Sequence, residues 1–356
     1  MIIHKIWLKH FRNFEECIIE RKEPEKPLLI YALNNQGKTN ILTSIFVCGH
    51  AKTAHSKMDL ESCIQSGQEK AIIGLLYQSD SKQEEMQKMY TTITDQGTTH
   101  QLNAKVIKQK KGCLKACPSF YISADTLFSF ISNPASRREA LDEFCQHQDP
   151  EYKTLLTQYK KCIRQKNKAL KQQEEISIWN EQLIQIAPDL VQKRVAALVK
   201  IQKELYHLAS DLFSEFFESL SIRYLAKRLF IYDGMDRKLY QNALKERLDA
   251  ELEKERILGN SRVGPHLDDL DLILNGLPFL DRFSRGIQRC MVLLFELSKY
   301  RLLYDEYPKP LLLLDDAFCE LDHQNKHVLM PIFTKDFPVI YTTADKEDVA
   351  LFNSFE

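Results

Sequence analysis

Two short clusters near opposite ends of the chain carry the residue types with the clearest chemistry. The first is Asn34-Asn35-Gln36-Gly37-Lys38-Thr39, which follows the apolar run Leu28–Tyr31 and leads into Ile41, Leu42 and Ile45 at helical spacing. Strand, tight turn and helix start is the setting in which a Gly-Lys-Thr loop cradles phosphate. The first N–H groups of such a helix lack partners and carry partial positive charge, so they attract phosphate oxygens. Lys38 is placed to reach the β- and γ-phosphates, and the Thr39 hydroxyl to sit on Mg²⁺. Ala32 stands where the usual pattern has its first glycine, and a positive φ there would cost about 1 kcal/mol or more. Asn35, at a second position where phosphate-binding loops often carry glycine, tolerates a left-handed backbone better than other side chains do. Gly-Lys-Thr alone also fits an ordinary strand–helix turn, so the assignment rests on the other half of the site.

That half is Leu311-Leu-Leu-Leu-Asp315-Asp316. An apolar run ending in two aspartates reads as a buried parallel strand delivering carboxylates to a ligand crevice. Asp315 would help Thr39 hold Mg²⁺, and Asp316 would polarise the attacking water. Upstream, Ser284-Arg-Gly286-Ile-Gln288 precedes an apolar helix and resembles the signature loop of ABC-type ATPases. There the serine hydroxyl and glycine N–H serve a nucleotide held by a second subunit. Cys319-Glu320-Leu321-Asp322 resembles the D-loop of the same enzymes. Each piece alone has a plainer meaning, a helix cap or a strand end. Their order, with a long helical segment between the halves, points to one composite site.

The elements that must position these residues are also legible. Residues 2–20 alternate apolar and polar around Phe11-Arg12-Asn13-Phe14, which predicts two strands, and Ala71–Tyr77 and Met89–Thr94 predict two more. No glycine falls between Gly112 and Gly234, which predicts helix. Asp149-Pro150-Glu151 is a helix start, followed by Leu155, Leu156, Tyr159, Ile163 and Leu170. A second helix is expected through Val191, Val195, Leu198, Leu205, Leu212 and Phe216, with Pro188 marking the hairpin between the two. The first helix carries Lys153, Lys160, Lys161, Arg164, Lys166, Lys168 and Lys171, and positions 160, 164, 168 and 171 share a face. That face is either simply solvated or a phosphate-backbone contact. Phe337–Thr343 predicts a last strand.

Composition bounds the rest. With 356 residues there is room for one large or two modest domains. Lys+Arg and Asp+Glu both count 49, so any nucleic-acid binding must come from local patches. Nine cysteines without CxxC or zinc spacing predict reduced thiols. No apolar run approaches membrane length and no signal-peptide core opens the chain. The expectation is an intracellular, soluble, cytoplasmic protein.

Together the motifs resemble the RecF family, bacterial recombination-repair ATPases of the ABC/SMC superfamily, over nearly the whole chain. Phe11–Phe14 resembles its F-R-N-Y, and Asn34–Asn40 its N-G-x-G-K-T-N. Pro134–Asp142 resembles P-x-x-R-R-x-F-L-D, Gly264–Leu270 G-P-H-R-D-D-L, and Leu313–Asp322 L-L-D-D-x-x-x-E-L-D. Departures include Ala32, Thr43, His55, Leu267, Arg285 and Ile287. The resemblance implies an α/β ATPase head of ABC/SMC type formed by residues 1–125 with 255–356, and an inserted antiparallel helical domain at 126–254. It implies ATP and Mg²⁺ as cofactors, with Arg12, Asn40, Ser284, Gly286, Gln288 and Asp322 joining the loop residues around the nucleotide. It further implies ATP-dependent homodimerisation, slow hydrolysis, DNA binding at gaps or junctions, and RecR and RecO as partners. Two other classes stay open: a degenerate nucleotide-poor scaffold, and another SMC-like ATPase of genome defence.

Overall fold

The structure is a computed structural model that describes residues 1–53, 59–79, 85–212, 217–226, 230–232, 236–303, 310–336 and 338–353. His55, Phe216 and Phe337 lie outside the described residues. The chain divides into two compact units, one of residues 1–127 with 304–356 and one of residues 128–303.

The first unit holds two sheets. Ile2–Phe11 and Phe14–Glu20 form the expected hairpin, and it continues antiparallel through Lys70–Gln78, Met86–Thr94, Gly97–Leu102 and Lys105–Val106. The second sheet is parallel, in the order Leu28–Tyr31, Val339–Thr343, Leu311–Asp315, Ser119–Ser123. Its central strands, LLLLD and VIYTT, are buried throughout, which explains the apolar runs of residues 311–314 and 339–341. The helix Lys38–His50 is buried along Leu42, Ile45 and Val47 in a core shared with Ile6, Leu8, Tyr77, Leu313 and Ile340. Each such side chain contributes about 1.5–3 kcal/mol on leaving water.

Register fixes what the parallel sheet presents. Asp315 pairs with Thr342 on one side and Ser123 on the other, and Thr343 pairs with Tyr31. The carboxyl ends of the P-loop strand and the acidic strand therefore finish in one row, although the two are far apart in sequence. Ligands of open α/β sheets bind at that edge.

The second unit is mainly helical. Pro150–Lys171 starts as expected, with the Asp149 carboxylate accepting the Glu151 N–H at 2.9 Å. The second helix, Ser177–Leu212, corrects the sequence reading, because Pro188 lies inside it. The reversal occurs instead at residues 172–176, where Gln173 has φ 56 and Glu175 accepts the N–H groups of Ile176 and Ser177, each at 2.9 Å. An interior proline withdraws one helix hydrogen bond from the carbonyl four residues earlier. Here that carbonyl, Ile184, accepts from the Gln241 amide at 3.3 Å, and Gln185 O accepts from Arg237 at 3.3 Å. Side chains of the helix Arg237–Leu258 thus supply what the proline removes.

Residues 255–303, expected with the head, group with the helical unit. The strand Asp269–Leu274 pairs with Leu220–Ala226, and the helix Arg285–Leu303 packs on Ser177–Leu212. Two of the quoted motifs meet inside this unit. Arg194, fully buried, forks onto Asp142 at 2.9 and 3.1 Å and donates to Tyr224 Oη at 3.0 Å and Pro265 O at 2.8 Å. Arg137 forks onto Asp269 at 2.7 and 2.8 Å, and Arg138 donates to Asp268 O at 2.6 Å. Pro134–Asp142 and Gly264–Leu270 are therefore a structural pair, joined through buried charge. Gly264 has φ +127, and a Cβ there would lie 2.6 Å from Tyr159 Oη, so the turn needs glycine.

Candidate functional site

Gly37 opens the P-loop helix at φ 95, and that helix end has no side-chain cap. The Asn40 and Ile41 N–H groups donate to Gly37 O at 2.9 and 3.1 Å, while Lys38 and Thr39, the first two helical residues, have no carbonyl of the helix behind them, which leaves their N–H groups for an anion. A Cβ on Gly37 would approach Phe14 Cζ at 2.5 Å and the Asn13 amide at 2.7 Å. The hairpin tip thus presses against the loop and admits only glycine. Asn35 takes the left-handed conformation at φ 66, as asparagine does more easily than most residues. Ala32 is not among the described residues with positive φ. The feared strain at that departure is absent, and the Ala32 carbonyl instead accepts from Lys38 Nζ at 2.8 Å.

Lys38 is 5% exposed. Its ammonium also lies 3.5 Å from Asn34 Oδ1 and 3.9 Å from Asp316 Oδ2. Thr39 Oγ1 donates to Asp315 Oδ1 at 3.1 Å. The two distant clusters therefore meet within one unit, as the composite reading requires. Arg12, at φ 51, donates to Asn40 Oδ1 at 2.6 Å, and Asn40 Nδ2 donates to Asn13 Oδ1 at 2.6 Å. Both residues brace the P-loop helix against the hairpin tip. Asn34, Asn35 and Gln36 are exposed, and Gln36 Oε1 accepts the Leu33 N–H at 3.0 Å.

Two residues escaped the sequence reading. Tyr121 Oη donates to Asp315 Oδ2 at 2.5 Å, and Thr342 Oγ1 donates to Asp315 Oδ1 at 2.7 Å. With Thr39, three hydroxyls orient one carboxylate. Burial, then the neighbouring Asp315 charge, raises the Tyr121 phenol above its ordinary range, so it stays a donor. Asp316 sits at φ 47, and its N–H donates to Thr342 O and Thr342 Oγ1, each at 3.2 Å. Burial raises its carboxyl above the usual aspartate range; Lys38 opposes this and Asp315 adds to it. A half-buried carboxylate with a raised pKa suits a proton acceptor.

Of the remaining expected residues, Asp322 and Gln288 bond within their own segments. Asp322 accepts from the Asn325 N–H and side-chain amide, both at 2.8 Å, and so caps the helix His323–Asp336. Ser284, Gly286 and Gln288 belong to the second unit. Ser284 is exposed at the start of the helix Arg285–Leu303. The Gln288 amide instead donates to Leu280 O at 2.7 Å and Phe283 O at 3.0 Å, which ties it to its own loop.

Hard oxygen donors on Thr39 and Asp315, beside an uncapped helix end and a lysine, fit Mg²⁺ with a triphosphate. Such sites take few protein ligands and complete the shell with phosphate and water. Among the described residues no group of three or more His, Cys, Asp or Glu is arranged for another metal. No helix among them is long and apolar enough to cross a membrane.

Comparison with known proteins agrees with this geometry. The family model for the RecF/RecN/SMC N terminal domain matches residues 2–352. The DNA replication and repair protein RecF of Geobacter sp. is 30% identical over 357 residues, covering 98% of this chain and 94% of that one. The fold is similar to two solved structures of the recombination mediator protein RecF in the RecFOR pathway. The one with ATP has a TM-score of 0.77 at 23% identity and covers 98% of this chain and 93% of its own. The one with ATPrS has a TM-score of 0.78 at 25% identity, covering 97% and 93%.

Proposed function

We infer, because the chain belongs to the RecF family within the RecF/RecN/SMC group, that it is an ATP-dependent DNA-binding protein of replication and recombinational repair. The observation that carries this reading is the meeting of Lys38 and Thr39 with Asp315 and Asp316. The solved relatives are described with ATP and ATPrS, which supports a nucleotide at the same loop here.

In this reading the loop amides and Lys38 bind phosphate, and Thr39 and Asp315 hold Mg²⁺. The metal would supply positive charge to offset that of the phosphates. Tyr121 and Thr342 keep the Asp315 carboxylate aimed. Asp316 orients a water and accepts its proton. Lys38 now rests on Ala32 O and near Asp316, so engaging phosphate would relieve Asp316 of a neighbouring cation. Ser284, exposed on the second unit, and the neighbouring Gly286 would complete the site of another copy. ATP would then act as a clamp that joins two copies and closes on DNA, with slow hydrolysis reopening it. The pathway named for the relatives supports RecR and RecO as partners, in the cytoplasm. Of the departures that favour the scaffold alternative, Ala32 introduces no positive φ, while Arg285 and Ile287 in the signature loop stand.

Fluorescence anisotropy with labelled duplex, gapped and single-stranded DNA tests the reading. Affinity should rise at least about tenfold, or about 1.4 kcal/mol, when Mg-ATP is added. Equal affinity with and without nucleotide would contradict the clamp.

A further inference from the structure

On the helix Pro150–Lys171, the residues Lys153, Lys160, Lys161, Arg164, Lys168 and Lys171 are all exposed. At about 100° per residue they fall within an arc of roughly 100°. The opposite side of the helix is buried through Tyr152, Leu156, Tyr159 and Cys162, so the arc must face solvent. Lys166, another cation of this helix, points inward, fully buried, 2.6 Å from Glu255.

No acid lies on the arc. The helix's one acid, Glu151, is on the far side and bound to Lys193 at 2.8 Å. Among the described residues none of the six cations takes part in an ion pair. The helix Arg237–Leu258 differs: Arg247 and Lys254 pair with Glu251, and Arg256 with Glu253. A stripe of unneutralised cations in a protein whose total charge balances to zero is a local electrostatic footprint.

We propose that this stripe is a docking rail for the sugar-phosphate backbone of duplex DNA. It runs about 27 Å from Lys153 to Lys171, with a cation roughly every 6 Å over its central turns. Regular phosphate contacts position a duplex without reading its sequence. Proteins that hold single strands add aromatic platforms for the bases. The arc has none, since both tyrosines of this helix are buried. The inference rests on the DNA-binding reading above and names the surface that serves it.

The test compares wild type with Lys160→Gln/Arg164→Gln/Lys168→Gln, titrated with duplex and single-stranded DNA at several salt concentrations with Mg-ATP present. Exposed neutral substitutions should leave the urea midpoint and Mg-ATP affinity unchanged. Duplex affinity should fall at least about tenfold, and the slope of log K against log salt should shrink by about 3, near 0.9 per lost phosphate contact. A control, Arg247→Gln/Lys254→Gln/Arg256→Gln, removes equal charge from paired positions and should change the slope by less than about 1. If wild type binds duplex DNA and the stripe variant matches it in affinity and slope, the rail is overturned while the DNA reading stands. A loss confined to single strands also overturns it. If wild type binds no DNA, the underlying reading fails and the rail falls with it.

Discussion

Asp316→Asn should lower ATP turnover by about 10²–10⁴-fold, the usual contribution of a positioned general base, while Mg-ATP affinity stays within a few-fold of wild type. Asparagine keeps the side-chain shape and, like aspartate, accepts the left-handed backbone that residue 316 adopts. The substitution therefore removes a proton acceptor rather than a fold. Burial raises the Asp316 pKa, so the carboxylate takes up a proton at higher pH than an ordinary aspartate. Wild-type turnover should accordingly fall as pH drops through that raised value, and the residual activity of the variant should lack this limb. A trapped ATP state should also appear as a dimer by light scattering. Unchanged turnover, or a variant that stays monomeric in saturating Mg-ATP, would exclude Asp316 from the role.

Asp142→Ala should cost about 3–5 kcal/mol of stability, a large share of the 5–15 kcal/mol typical of a domain. The reason is what remains behind. Arg194 is 2% exposed, and its other acceptors, Tyr152 Oη, Tyr224 Oη and Pro265 O, are neutral. Tyr152 also donates to Asp142 and would lose its acceptor. Removing both charges with Asp142→Leu/Arg194→Met should recover much of the loss, since a buried pair contributes little beyond an apolar replacement. Urea midpoints read both variants. A single variant within about 1 kcal/mol of wild type would mean that Arg194 finds water or another partner.

The sequence reading succeeded where chemistry is local. A glycine, lysine and threonine behind a short strand, four leucines ending in two aspartates, and a proline behind a capping aspartate each declare their geometry within a few residues. It failed where neighbours in space decide. Pro188 read as a helix breaker because the side chains that satisfy Ile184 and Gln185 come from residues 241 and 237. Lys166 read as one more cation of a basic helix because Glu255, its buried partner, is remote in sequence. Tyr121 and Thr342 gave no signal: a hydroxyl becomes a carboxylate-orienting donor only once parallel register sets three strand ends side by side. The boundary at 254 failed for a related reason, since the strand Asp269–Leu274 finds its partner in Leu220–Ala226. The Gln288 amide, likewise, was claimed by two nearby carbonyls.

Calorimetric titration of Mg-ATP into wild type and Lys38→Ala tests most directly whether residues 34–39 and 315–316 form one nucleotide site. Loss of a charged contact to phosphate, at about 1.5–3 kcal/mol, predicts affinity weaker by about 10–100-fold in the variant, with the urea midpoint little changed. Equal affinities for the two proteins would contradict the account.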